Sequence, residues 1–194
     1  MAPKNLSHPF LLLLLFYPHL TNSLIPLNSS LKPPQQQSPN TTTTWSSPNN
    51  TFSFGFLTDP SNTSLFSAAV ILSPSSTPVW RAPSKSSPGS PALVDFSASI
   101  QFQSNGNLRL IDGSGSVIWQ SNTSNRGVSV ASLDDYGNLA LKNSTSTVIW
   151  DTFSNPTDTV VQSQNLTTAS TLRSGPYSFS LLPRATSPLN GTTA

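Results

Sequence analysis

Residues able to do acid–base, nucleophilic or metal chemistry are few in this chain and poorly spaced for it. Both histidines, His8 and His19, lie near the N-terminus, and there is no cysteine. A Ser-His-Asp relay needs an imidazole beside its nucleophile, and structural or catalytic metal sites need clustered thiolates or imidazoles. Beyond residue 19 neither group is available. Asp134 and Asp135 are the adjacent carboxylates, but neighbours on a hairpin point to opposite sides and cannot flank one glycosidic bond. Asp158 between Thr157 and Thr159 is explained by an Asx or Ser/Thr turn. No glycine-rich phosphate loop or kinase motif occurs. The expectation is a non-enzyme with no metal and no cofactor. What the chain has in quantity is amides and hydroxyls, from which so weakly charged a chain must draw its solubility, and that points outside the cytosol.

The elements that would position such groups follow from an internal repeat. Gly106-Asn107-Leu108-Arg109-Leu110 followed by Val117-Ile118-Trp119 returns, at an offset of 31 (137 − 106 = 31), as Gly137-Asn138-Leu139-Ala140-Leu141 followed by Val148-Ile149-Trp150. A weaker copy ends at Val79-Trp80, with Ile71 standing before Trp80 as Leu110 stands before Trp119. Ser104-Asn105-Gly106 and Asp135-Tyr136-Gly137 read as three-residue hairpin loops with a left-handed glycine. That register pairs Gln103 with Asn107, Phe102 with Leu108 and Ile100 with Leu110, and in the later copy Leu133 with Leu139 and Ala131 with Leu141. One face then carries Gln101, Gln103, Asn107 and Arg109, and the other is wholly apolar. A hairpin cannot bury one face alone, so three such units should turn their apolar faces, with the core residues Trp80, Trp119 and Trp150, toward a common centre.

Short apolar runs broken by Ser, Asn, Gly and Pro about every ten residues predict many short strands and no helix. Only 8% of the 194 residues are charged, and the pI near 9.2 comes from 9 Lys plus Arg against 7 Asp plus Glu with no basic cluster, which argues against nucleic-acid binding. Lys4 and the run Leu11 to Leu15 predict a signal peptide over 1–23, too short an apolar run for a membrane span. Sequons at Asn28, Asn40, Asn49, Asn62, Asn122, Asn143, Asn165 and Asn190 predict a secreted glycoprotein. Residues 24–44, rich in Pro, Gln, Ser and Thr, are expected to form a tether, 45–166 the folded domain, and 167–194 a trailing segment or the start of a linker.

From Trp45 to about Gln164 the chain resembles the bulb-type, mannose-binding lectin domain, most closely that at the N-terminus of plant G-type lectin S-receptor-like serine/threonine protein kinases. The resemblance rests on Trp45, Phe52-Ser53-Phe54-Gly55-Phe56, Val79-Trp80, the two Gly-Asn-Leu-x-Leu units, and Trp150-Asp151-Thr152-Phe153-Ser154-Asn155-Pro156-Thr157-Asp158-Thr159. It implies an all-β fold, a β-prism of three short-stranded sheets with pseudo-threefold symmetry. Where the family shows Val-Ala-Asn-Arg after the tryptophan, Arg81 follows Trp80 directly.

The family's sugar pattern, Gln-x-Asp-x-Asn-x-Val-x-Tyr, falls here on Gln103, Asn105, Asn107, Arg109 and Ile111. The resemblance thus implies a half-preserved carbohydrate site on Gln103, Asn105 and Asn107. The corresponding positions are Asp134, Tyr136, Asn138, Ala140 and Lys142 in the later copy and Ser64, Phe66, Ala68, Val70 and Leu72 in the early one, and neither set is expected to bind. A turn-holding role for Asn107 and Asn138 competes with the sugar role. The function implied is an extracellular mannose-type recognition module of a receptor-like protein, secreted to the apoplast or held at the outer face of the plasma membrane. The alternative is a protein-interaction scaffold whose sugar sites have decayed. Expected partners are glycans or other cell-surface proteins, in homo- or hetero-oligomers.

Overall fold

The computed structural model describes residues 23–34 and 43–182. Three meanders of three strands account for most of it: β4 (Phe52–Thr58), β5 (Phe66–Leu72) and β6 (Thr77–Arg81); β7 (Ser99–Phe102), β8 (Leu108–Ile111) and β9 (Val117–Gln120); β10 (Val128–Leu133), β11 (Leu139–Asn143) and β12 (Val148–Asp151). Three N-terminal strands, β1 (Ser23–Pro26), β2 (Ser29–Leu31) and β3 (Thr44–Ser46), each join a different meander. The sheets therefore run β1-β10-β11-β12, β2-β7-β8-β9 and β3-β4-β5-β6, all antiparallel. A separate hairpin, β13 (Thr171–Ser174) with β14 (Tyr177–Ser180), follows them, and no helix occurs among the described residues.

The hairpin registers are those the repeat predicts. Ile100 opposes Leu110 and Phe102 opposes Leu108, while Ala131 opposes Leu141 and Leu133 opposes Leu139. Gly106 and Gly137 take φ of 82° and 92°, the left-handed values such loops require. Each also sits hard against the next sheet, because a Cβ on Gly106 would lie 2.8 Å from Val128 Cβ and one on Gly137 2.9 Å from Phe52 Cε1. The loop of each repeat is thereby keyed into its neighbour.

Threefold order appears in the backbone as well. Four residues before each tryptophan the chain turns through positive φ, at Ser76 (53°), Gly115 (85°) and Ser146 (64°). One position of bulge interrupts each outer pairing, between Val70 and Ile71, Leu110 and Ile111, and Leu141 and Lys142. These bulges turn Trp80, Trp119 and Trp150 inward, opposite Val70, Leu110 and Leu141. The three indoles meet pairwise at centroid distances of 5.3, 5.9 and 5.7 Å and interplanar angles of 71°, 79° and 60°. Such edge-to-face contacts add about 0.5–1.5 kcal/mol per pair beyond the area they bury. The architecture is an all-β prism with the indole cluster on its axis.

Three expectations need correction. Part of the stretch expected as a tether over 24–44 is integral to the prism: Ile25 and Leu31 are 4% and 1% exposed and close the open edges of two sheets. Ile25, Leu27 and Leu31 bring apolar side chains to the core from this segment, and an unpaired sheet edge gains hydrogen bonds from any strand that fits. Within the expected trailing segment, residues 171–180 form the β13–β14 hairpin, pinned by Arg173 N to Thr157 O (2.7 Å) and Gly175 N to Gly89 O (2.9 Å). In the early copy Val70, not Ile71, faces the tryptophan, because the β5–β6 turn is one residue longer than its counterparts. A slip of one residue exchanges the faces of a strand. The outward positions there are Ser67, Ala69 and Ile71, all buried, and not Ser64, Phe66, Ala68, Val70 and Leu72. His8, His19, most of the expected signal peptide, Asn40, Asn190 and residues 183–194 lie outside the described residues.

Candidate functional site

Asn107 follows the left-handed Gly106, and its side chain turns into the protein instead of outward. It is fully buried. Its Oδ1 accepts from Ser121 Oγ (3.0 Å) and Thr123 N (3.1 Å), and its Nδ2 donates to Gln120 Oε1 (3.0 Å). Ser121 Oγ in turn accepts from Leu108 N at 3.1 Å. Asn107 is therefore a clamp that ties the hairpin loop to the end of β9, with its amide engaged on both atoms. The later copy repeats the device. Asn138 Oδ1 accepts from Thr152 Oγ1 (3.1 Å) and Phe153 N (3.2 Å), and Thr152 Oγ1 accepts from Leu139 N (3.0 Å).

Asn105 stays in the loop, half-buried, with its Oδ1 accepting from Asn107 N (3.1 Å) and its carbonyl from Asn125 N (2.8 Å). Gln103 goes elsewhere. It lines an open groove of about 320 Å³ with Asn28, Ser29, Ser30, Gln101 and Ser104. Ser30 lies directly across from Gln101, and Asn28 N donates to Phe102 O at 2.6 Å, so the groove is the outer face where β2 meets β7. Gln101 Nε2 donates to Ser99 Oγ at 3.2 Å. The structure thus separates the expected trio and gives Gln103 new companions from the N-terminal strand. A signal existed for them: Leu24, Ile25, Leu27 and Leu31 are apolar residues that a free tether has no use for.

The carboxylates are structural ties. Asp134 Oδ1 accepts from Tyr136 N (3.0 Å) and Asn138 N (2.9 Å) and shapes the loop, whereas Asp135 reaches across to Ser47 Oγ (2.6 Å), Asn49 N (2.9 Å) and Asn49 Nδ2 (2.8 Å). Asp158 pairs with Arg81 at 2.7 Å, a link from β6 to the Pro156-Thr157-Asp158-Thr159 stretch. Trp80 Nε1 donates to Asn155 O at 2.8 Å and fastens the same stretch to the indole cluster. Asp112 sits in the β8–β9 turn, where the Ser114 hydroxyl and the Ser116 backbone hold its carboxyl below the ordinary carboxylate value. No group of three metal-ligating side chains occurs among the described residues, nor a helix long and apolar enough to cross a membrane.

Of the expected glycosylation acceptors, Asn28, Asn49, Asn62, Asn122 and Asn165 are exposed and Asn143 is half-buried. Asn143 engages only its Oδ1, toward Thr145 N (3.0 Å) and Thr147 N (2.8 Å). Asn49 commits the nitrogen a glycan would modify to Asp135.

The family model described as D-mannose binding lectin matches residues 77–180. A G-type lectin S-receptor-like serine/threonine-protein kinase of Arabidopsis thaliana is 42% identical over 173 residues, covering 89% of this chain and 19% of its own. A kinase of the same description from Oryza sativa subsp. indica is 35% identical over 167 residues, covering 84% of this chain and 20% of its own. The chain thus spans about a fifth of the length of these relatives. Among solved structures, the monomeric monocot mannose-binding lectins from Gastrodia elata align at 15% identity and a TM-score of 0.46, over 66% of this chain and 94% of theirs.

Proposed function

Since the chain belongs to the D-mannose binding lectin family, we propose that it is a non-catalytic carbohydrate-recognition module, displayed outside the cell as the sensing part of a receptor-like protein, and that a mannose-type sugar sits in the Gln101–Gln103 groove. The groove's lining carries the reading: the amides of Asn28, Gln101 and Gln103 and the hydroxyls of Ser30 and Ser104 offer both donors and acceptors, as vicinal sugar hydroxyls demand. Each such hydrogen bond contributes only about 0.5–1.5 kcal/mol net, so single-site affinity is weak and useful binding depends on multivalent display. A glycan array at high lectin density tests it. Retention of high-mannose glycans that disappears in Gln101→Ala/Gln103→Ala supports the reading, and no binding with the fold intact by circular dichroism refutes it.

A protein-interaction scaffold is the second reading. Burial of Asn107 and the loss of a hydroxyl at Ile111 favour it, as do Tyr177 and Phe179, 79% and 54% exposed on one side of the last hairpin. Partner capture unaffected by Gln101→Ala/Gln103→Ala but lost in Tyr177→Ala/Phe179→Ala decides for the scaffold.

A further inference from the structure

A second cavity, of about 210 Å³, opens far along the chain from the amide groove, where β6, the loop around Gly89, the Pro156–Asp158 stretch and β13 converge. Its walls are held by main-chain bonds. Arg173 N donates to Thr157 O (2.7 Å), Gly175 N to Gly89 O (2.9 Å), Ser84 N to Ser90 O (2.9 Å) and Ala92 N to Ala82 O (2.8 Å), and Pro83 bridges Pro91. The cavity is therefore preformed rather than waiting on a ligand.

Its chemistry is mixed in a specific way. Arg81 and Asp158 form an ion pair whose side chains are only 26% and 22% exposed, and Thr159 Oγ1 donates to Asp158 Oδ1 at 3.1 Å. Arg173 also lines the cavity, is exposed, and pairs with no carboxylate among the described residues. Pro83, Pro91 and Pro156 supply the flat apolar surface. The site holds two guanidinium groups against one carboxylate, a net positive charge. Arg81 is already paired with Asp158, which leaves Arg173 for an anionic end and the Asp158 carboxylate for a hydroxyl of the same ligand.

We propose that this cavity binds a single carboxylate-bearing pyranose, a hexuronic acid residue. Its carboxylate pairs with the Arg173 guanidinium, a hydroxyl donates to Asp158, and the apolar ring face packs on the prolines. Guanidinium–carboxylate pairing is favoured by its bidentate geometry and weakened by salt. The site shares no residue with the Gln101–Gln103 groove, so either can fail without the other.

The test is calorimetric titration of the whole chain with trigalacturonate, its methyl ester and inorganic phosphate at low and high salt. Trigalacturonate should bind, at least tenfold more weakly to Arg173→Ala and more weakly still to Arg173→Glu, with unchanged affinity in Gln103→Ala. The methyl ester should lose at least tenfold. Absence of binding by the folded chain, undiminished affinity in Arg173→Ala, equal binding of the ester, or phosphate binding as tightly as trigalacturonate would each overturn the proposal.

Discussion

Asn107 Oδ1 accepts the hydroxyl proton of Ser121 at 3.0 Å, and one repeat later Asn138 takes the same bond from Thr152 at 3.1 Å. The asparagine after each left-handed glycine is thus a bracket between a hairpin loop and the end of the third strand. The buried amide of Asn107 is engaged by the fold itself.

Removing that bracket should cost stability before it touches recognition. Asn107→Ala leaves Thr123 N and Ser121 Oγ without their shared acceptor, and two weakened buried groups amount to about 2–4 kcal/mol. Urea unfolding should show the loss directly. A variant as stable as the parent would mean that water or a neighbouring group replaces the amide.

Trp119 is buried and touches both other indoles, at 5.3 and 5.7 Å, and Trp119→Ala should lose about 3–5 kcal/mol with collapse of the near-ultraviolet circular dichroism. Trp150, half-buried, should lose less on the same change. Equal and small losses at both positions would contradict an indole core.

Leu31 is 1% exposed on β2, while Leu24, on β1, is 62% exposed. Leu31→Ala should destabilise by about 2–5 kcal/mol and Leu24→Ala by no more than about 0.5 kcal/mol. Thermal melts that rank the two the other way would argue that residues 23–34 do not seal the sheets.

Asp112 has a folded-state pKa below its unfolded one, chiefly through the Ser114 hydroxyl. Its stabilising contribution is fully present above the unfolded value and is lost as pH falls through the lowered folded value. The equivalent turn carries Asn143 in the same bonds, so Asp112→Asn should keep the turn and shed that acid sensitivity. Urea midpoints followed from neutral to strongly acid pH should fall less steeply in the variant, and an unchanged slope would show that the turn does not feel the charge.

Asn28 stands on the rim of the amide groove with φ of 65°, exposed in the turn between β1 and β2. A glycan attached there should crowd the groove. Asn28→Gln made in secretory cells should bind a mannose array severalfold more strongly than the parent from the same cells, while the two should match when made without glycosylation. Equal binding from both sources would separate the groove from the sequon.

Hairpin loops and core indoles were legible because they rest on local chemistry that recurs. A left-handed glycine, alternating apolar residues and a tryptophan at constant offset say the same thing twice, 31 residues apart (137 − 106 = 31), and the registers of β7 with β8 and β10 with β11 follow from them. Illegible were the features set by residues far apart in the chain. Nothing local in Asn28-Ser29-Ser30 announces that it will lie beside Gln101 and Gln103, because that contact exists only once the sheet edge at β7 has been built. The extra residue in the β5–β6 turn was equally silent, and with it Val70 rather than Ile71 stands opposite Trp80.

By itself, the order of residues determined an all-β chain of three similar units with tryptophans at its centre, since period-two patterning and turn glycines act over a few residues. Only tertiary structure decided which amides reach solvent. Asn107 and Gln103 are drawn from one hairpin, yet the end of β9 encloses the first and the arriving β2 frames the second. Exposure is a property of what packs on a side chain, and those neighbours come from other parts of the chain.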